Sequence, residues 1–148
     1  MKLNVGCGQD VRDGFINFDK VPYDARILKL NIDEELLSRF SDDSCDEIVC
    51  HGCLTEFKTD ALTIMCEFWR VLKNGGVASI RLAVVDGGVG PFRDPTAYHQ
   101  YSSQWIQYFI RGGMWQNSGH GFGFRGEFEL LQESLGGEVH HVILKAIK

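Results

Sequence analysis

Two short apolar runs stand at the start of this chain, and each ends in a residue type suited to holding a ligand. Lys2–Val5 reads as a buried strand running into Gly6-Cys7-Gly8, and Phe15–Phe18 as a second strand running into Asp19. Only nine residues, Gly6 to Gly14, separate the two. Glycine at a strand exit lets backbone approach a ligand closely, and successive N–H groups there can receive an anion. An acid at the end of a second strand can accept hydrogen bonds from a ribose diol. In an open α/β sheet, ligands sit outside the carboxyl ends of the strands, so the pattern predicts one crevice near these ends.

The rest of the chain supplies such a sheet. Arg26–Leu30 reads as a third strand followed by Asn31 and Asp33, and Asp33–Phe40 as a short helix with an acidic start. After the turn Ser41–Ser44, Asp46–Cys50 reads as a fourth strand, leading into His51-Gly52. The clearest helix is Asp60–Lys73, with Thr59 as the expected N-cap. Thr63, Glu67, Arg70 and Lys73 form a polar face opposite a broad apolar one that includes Ile64, Met65, Phe68 and Val71. Asn74-Gly75-Gly76 should end it. Val77–Val84 is apolar enough for a strand buried on both faces. Ser103–Arg111 reads as a helix closed by Gly112-Gly113, Met114–Gly126 as loop, Glu127–Leu135 as a last helix, and Glu138–Ile147 as a final strand. Strands alternating with helical segments predict a mostly parallel α/β sheet.

At 148 residues the chain fits one domain. The pattern divides it into residues 1–85, which should carry the ligand crevice, and 86–148, a cover with the final strand. No apolar run reaches the roughly 18–20 residues of a membrane span. A net charge of −5 argues against nonspecific binding to nucleic acid or acidic lipid. Five cysteines and no basic-then-apolar leader fit a cytoplasmic chain with reduced thiols. Cys50 and Cys53 have the spacing of a redox or zinc half-site, but no second pair completes four ligands. The reading is therefore buried structural cysteines and no metal.

In order along the chain, "LNVGCG…GFINFD", "DDSCDEIVCHGCLTEF" and "FWRVLKNGG" resemble the class I S-adenosylmethionine-dependent methyltransferases, and more narrowly the methyltransferase type 11 group. The resemblance covers about residues 2–82, with looser similarity at Asp94–Thr96 and Gly119–Phe122. It implies a Rossmann-like, mostly parallel sheet and S-adenosyl-L-methionine as cofactor. It also implies that Gly6, Cys7 and Gly8 line the methionine part, Asp19 takes the ribose hydroxyls, Asn31 lies near the adenine, and His51 faces the cofactor. Several positions depart from the group. Nine residues between strands one and two are too few for a usual crossover, so the fold should be trimmed, lacking a full first helix. Asn74 replaces a common Pro. In "CLTEF", Thr55 and Glu56 stand where the group has Glu and His. A nicotinamide oxidoreductase is disfavoured because Val11 occupies the position of the third glycine in GxGxxG.

Methyl transfer from a sulfonium needs positioning first, and a base only when the acceptor must lose a proton. The available bases are His51, Glu56, Asp86, His99 and His120, of which His51, Glu56 and His99 are taken as the catalytic candidates. Aromatic residues concentrate after Val85. Trp105, Tyr108 and Phe109 fit a helix face, and others beside glycines could cover a substrate. The acceptor could be a small molecule, glycan, lipid or protein, and a second copy of the chain could cover apolar surface left by the short N-terminus. The alternative is a non-catalytic methyltransferase-like module that binds the cofactor or a partner.

Overall fold

The computed structural model describes residues 1–148, with positions 90 and 91 described in backbone only. Seven strands form one sheet: β1 (Lys2–Val5), β2 (Ile16–Asp19), β3 (Ile27–Lys29), β4 (Cys45–His51), β5 (Leu72–Ala83), β6 (Phe128–Gly136) and β7 (Val139–Ala146), in the order β3-β2-β1-β4-β5-β7-β6. The neighbours from β3 through β5 are parallel. β7 runs antiparallel to β5 and forms a hairpin with β6. The helices are α1 (Ile32–Glu35), α2 (Ala61–Val71) and α3 (Gln116–Gly121), with a 3₁₀ turn at Ser103–Tyr108.

Side chains alternate across a strand, and here the two faces have different fates. Leu3, Val5, Phe18, Ile48, Cys50, Ile80, Leu82, Val142 and Leu144 point to one side, which we call the front. There they are buried with Ile64, Met65, Phe68 and Val71 of α2 and with Trp105, Ile106, Phe109 and Phe124. On the back, Asn4 and Asn17 are buried, but Ser79, Ala83, His141, Ile143 and Lys145 are only half-buried and Arg81 is exposed. Parallel sheets are usually covered on both faces. This one is covered on one, except where the β1–β2 connection crosses.

That connection has no helix. Residues 6–15 form turns instead, and two buried asparagines, neighbours in register, hold them. Asn4 Nδ2 donates to the Asp10 carbonyl (2.6 Å) and to Asn17 Oδ1 (2.9 Å). Asn17 Oδ1 also accepts from the Arg12 N–H (2.8 Å), and its Nδ2 donates to the Arg12 and Phe15 carbonyls (3.0 and 3.2 Å). The side-chain amides thus satisfy backbone groups that a helix would have satisfied internally.

Several elements differ from the sequence reading. The N-cap of α2 is Asp60 and not Thr59: its carboxylate accepts the Thr63 N–H at 2.9 Å, while the Thr59 N–H goes to Asp33. The helix stops at Val71, and β5 begins at once with Leu72 paired to Cys45. Asn74-Gly75-Gly76 lie inside β5 at a register shift, with Gly75 at φ +82°. The short helix expected over Asp33–Phe40 ends at Glu35. Leu37 is drawn into the core, with its N–H on Glu67 and its carbonyl on Arg70, and Leu36 turns at φ +53°. Ser103–Arg111 is a 3₁₀ turn to Tyr108 rather than an α-helix, and the expected loop at Met114–Gly126 contains α3. The last expected helix, Glu127–Leu135, is instead strand β6. A bulge near Leu131 breaks its alternation, and a two-residue turn with Gly137 at φ +60° returns the chain into β7.

Replacing Asn17 by alanine strands the Arg12 N–H and two carbonyls, so Asn17→Ala should lose about 2–3 kcal/mol in urea unfolding. An unchanged midpoint would mean that something else holds the crossover.

Candidate functional site

The chain runs from β1 outward to β2 and β3 and then returns to β4 on the other side of β1, so the strand order switches between β1 and β4. A cavity of about 280 Å³ opens there, at the carboxyl ends of the strands. This is just under the roughly 300–1,000 Å³ common for small-molecule sites. Gly6, Cys7, Gly8, Asp19, Asn31 and His51 all line it, with Asp33 and Glu56. Residues scattered over fifty positions of sequence therefore share one wall.

Local backbone chemistry shapes this wall. Gly6 and Gly8 have φ of +57° and +52°, a region that disfavours side chains. A Cβ on Gly6 would lie 2.8 Å from Cys53 Cβ, whereas one on Gly8 would meet nothing within 4 Å. The expected anion-receiving N–H groups are already spent: Cys7 N–H donates to the Phe18 carbonyl (3.1 Å), and Gly8 N–H to Asp19 Oδ2 (3.0 Å). At Cys7 and Gly8 the loop therefore offers close approach rather than free donors. Asp19 Oδ1 accepts the Val21 N–H (2.9 Å), which fixes the carboxylate at the cavity. Asn31 caps α1 by accepting the Asp33 N–H (3.2 Å), and its amide donates to Glu34.

His51 contributes to the wall, but both of its ring nitrogens are engaged away from it. Nδ1 lies 3.2 Å from an Arg12 Nη, and Nε2 lies 2.9 Å from Ser79 Oγ. A guanidinium can only donate, so Nδ1 accepts and the proton sits on Nε2. Burial, then the charges of Arg12 and Arg81 and the nearby His141, push the His51 pKa down to about 4. Glu56 is different. Burial, then the charge of Asp94, raises its pKa above the usual carboxylate range. Among the described residues its side chain has no hydrogen-bond partner.

The remaining candidate bases lie elsewhere. His99 is not in the cavity lining, and its Nε2 is 3.0 Å from the Lys58 carbonyl. Asp86 is held by the Ser103 N–H and hydroxyl, and His120 faces the Gly126 carbonyl. Among the aromatics, Trp105, Phe109 and Phe124 are core, while Phe92, Tyr98 and Phe122 are exposed. The backbone N–H groups of Tyr98 and His99 both reach the Thr55 carbonyl, which brings this segment against the Glu56 edge. Cys50 and Cys53 are buried with sulfurs 3.2 Å apart, and the Cys53 thiol donates to the Val5 carbonyl. Lys20, Tyr23 and Phe57 also line the cavity. The sequence held no signal for these three, because they reach it only through the folding of the loops that follow β2 and β4.

A mostly parallel sheet in this order, closed by an antiparallel hairpin and carrying a glycine turn and an acid at one crevice, is the class I methyltransferase fold. Residues 7–80 match a methyltransferase-domain family of type 11, and the chain belongs to it. Among solved structures it is similar to a SAM-dependent methyltransferase from Archaeoglobus fulgidus (12% identity, TM-score 0.67, 97% of this chain and 85% of that one). It is also similar to 1,6-didemethyltoxoflavin-N1-methyltransferase from Burkholderia thailandensis, solved with bound 1,6-didemethyltoxoflavin and S-adenosylhomocysteine (16% identity, TM-score 0.58, 99% of this chain and 70% of that one). No curated protein sequence matches the chain. No helix among the described residues is long and apolar enough to cross a membrane.

The His51 environment can be checked by NMR titration. Its C2–H should shift with a midpoint near pH 4, and Arg12→Ala should move that midpoint upward; a midpoint in the ordinary histidine range would contradict the network. As pH falls, the unfolded chain takes up this proton before the folded one does. The network therefore costs stability between about pH 6.5 and pH 4, and stability rises with pH through that window.

Proposed function

We infer that the chain is a methyltransferase that uses S-adenosylmethionine. The observation that carries this reading is the shared cavity: Gly6–Gly8 and Asp19 open onto one space at the strand-order switch, with Glu56 on the same wall. Membership of the family and the S-adenosylhomocysteine held by the Burkholderia neighbour support it.

The residues present fit that cofactor. Gly8, where an added Cβ would meet nothing, leaves room for a ligand against backbone. Asp19 is fixed at the cavity by two backbone N–H groups and keeps acceptor capacity for a ribose diol. Asn31 and Asp33, at the start of α1, are suited to the far end of a nucleoside. When bound, the cofactor supplies a methyl group already activated on a sulfonium, so the protein's work is to hold the reactants in line.

Two further properties suit such a ligand. The carboxylates of Asp19, Asp33 and Glu56 give the wall an acidic bias toward a cationic sulfonium. Cys7 stands in the same wall, where a thiolate would compete for the methyl group. Burial, and then the charge of Asp19, push its pKa to about 11 and keep it a thiol. Glu56 is the group we assign to accept the acceptor's proton or orient the acceptor, since its raised basicity and lack of a protein partner leave it available.

Isothermal titration with S-adenosylhomocysteine tests the first step. The folded chain should bind, Asp19→Ala should weaken binding at least tenfold, and Asp86→Ala should not change it. No heat up to millimolar ligand would contradict the reading. Transfer of labelled methyl from S-adenosylmethionine into cell extract tests the second. Glu56→Gln should cut incorporation by about 10²–10⁴-fold while S-adenosylhomocysteine affinity stays unchanged. Binding with no transfer to any fraction would instead make the chain a cofactor-binding module.

A further inference from the structure

The bare back face of the sheet carries a second array, away from the cavity. His51, Arg81, His141 and Ser134 are direct register partners on four successive strands, β4, β5, β7 and β6. They therefore form one row across one face, with Cβ atoms about 5 Å from their neighbours. Ser79, one pleat below Arg81, ties the row together: its Oγ lies 2.9 Å from His51 Nε2 and 2.9 Å from His141 Nε2. The two imidazoles meet edge to face with centroids 5.4 Å apart.

His51 Nε2–H donates to Ser79, because Nδ1 is taken by Arg12. Ser79 can then donate its hydroxyl proton to His141 Nε2, and in that tautomer the proton of His141 sits on Nδ1. That N–H, the Arg81 guanidinium and the Ser134 hydroxyl have no protein partner among the described residues. All three are donors, and they are neighbours in the row. The acids around them are committed elsewhere: Asp10 to Arg12, Glu47 to Lys2, Glu129 to Lys145, Glu138 to Arg93, and Glu133, across the sheet, to His140. Among the described residues, α2 and the 3₁₀ turn Ser103–Tyr108 pack on the front, opposite the row.

An exposed arginine between two imidazoles, with no carboxylate of its own, attracts an anion and repels a cation. We propose that Arg81, His141 and Ser134 form a binding site for a phosphate-type oxyanion, with His51 and Ser79 positioning the His141 imidazole. The planar fork of Arg81 suits two oxygens of one phosphate. His141 Nδ1–H and the Ser134 hydroxyl supply further donors from the adjacent strands. The group can be free inorganic phosphate or the phosphate of a small phosphomonoester.

The test is a histidine-resolved NMR titration of the full chain at pH 7 and constant ionic strength, with inorganic phosphate, phenyl phosphate and sodium chloride as separate titrants. The His141 resonances should shift saturably with at least one phosphate titrant and not with chloride. Tighter binding of inorganic phosphate identifies a free-ion site, and tighter binding of phenyl phosphate an organic one. Arg81→Gln and Arg81→Ala, both at an exposed position, should weaken binding at least tenfold, whereas Arg26→Gln, on the far side of the sheet, should leave it unchanged. Shifts that do not saturate by tens of millimolar, that chloride reproduces, or that persist in both Arg81 variants would overturn the proposal. The S-adenosylhomocysteine titration does not depend on this result.

Discussion

The pairing of Asn4 with Asn17 lets β1 and β2 lie parallel and adjacent with only turns between them. A parallel crossover usually includes a helix, because a helix satisfies its own backbone while it crosses the sheet. Here two buried amides take over that task by binding the Asp10, Arg12 and Phe15 backbone. The consequences reach well beyond the loop. Gly8 is held close enough to donate to Asp19, Arg12 is delivered to His51, and no helix is present to cover the back of the sheet. The ligand crevice and the exposed row of donors thus share one structural origin.

Electrostatics divide the two places sharply. The cavity wall is rich in carboxylates, and its thiol is kept protonated, which favours a cationic ligand over an anionic one. The back face has its acids paired off and its arginine left over, which favours the reverse. The two environments meet at β4, where His51 takes part in both: it stands in the cavity wall while its ring nitrogens face Arg12 and Ser79. Its depressed basicity keeps a positive charge from accumulating between Arg12 and Arg81.

Local punctuation was legible in the sequence, and long-range geometry was not. Lys2–Val5, the glycine turn and Asp19 could be read because strand exits are marked by residue type, and α2 because its apolar face repeats over eleven residues. The absence of a first helix followed from counting nine residues. β6 was misread as a helix because its bulge near Leu131 interrupts the alternation that marks a strand. The ends of α1 and α2 were misplaced because Glu67, Arg70 and Cys45, distant in sequence, compete for the local backbone. In the site, the identities of the lining residues were legible, but not the use to which their donors are put. The N–H groups of Cys7 and Gly8 bond to β2, and His51 turns to a serine twenty-eight positions away.

The most direct test of the account is a crystal structure of the chain with S-adenosylhomocysteine. It should show the ribose diol on the Asp19 carboxylate, the amino-acid portion against Gly6–Gly8, and the sulfur facing the Glu56 side of the cavity. A nucleoside bound in any other cleft, or an Asp19 carboxylate that remains on Gly8 and Val21 with no contact to the ligand, would contradict it.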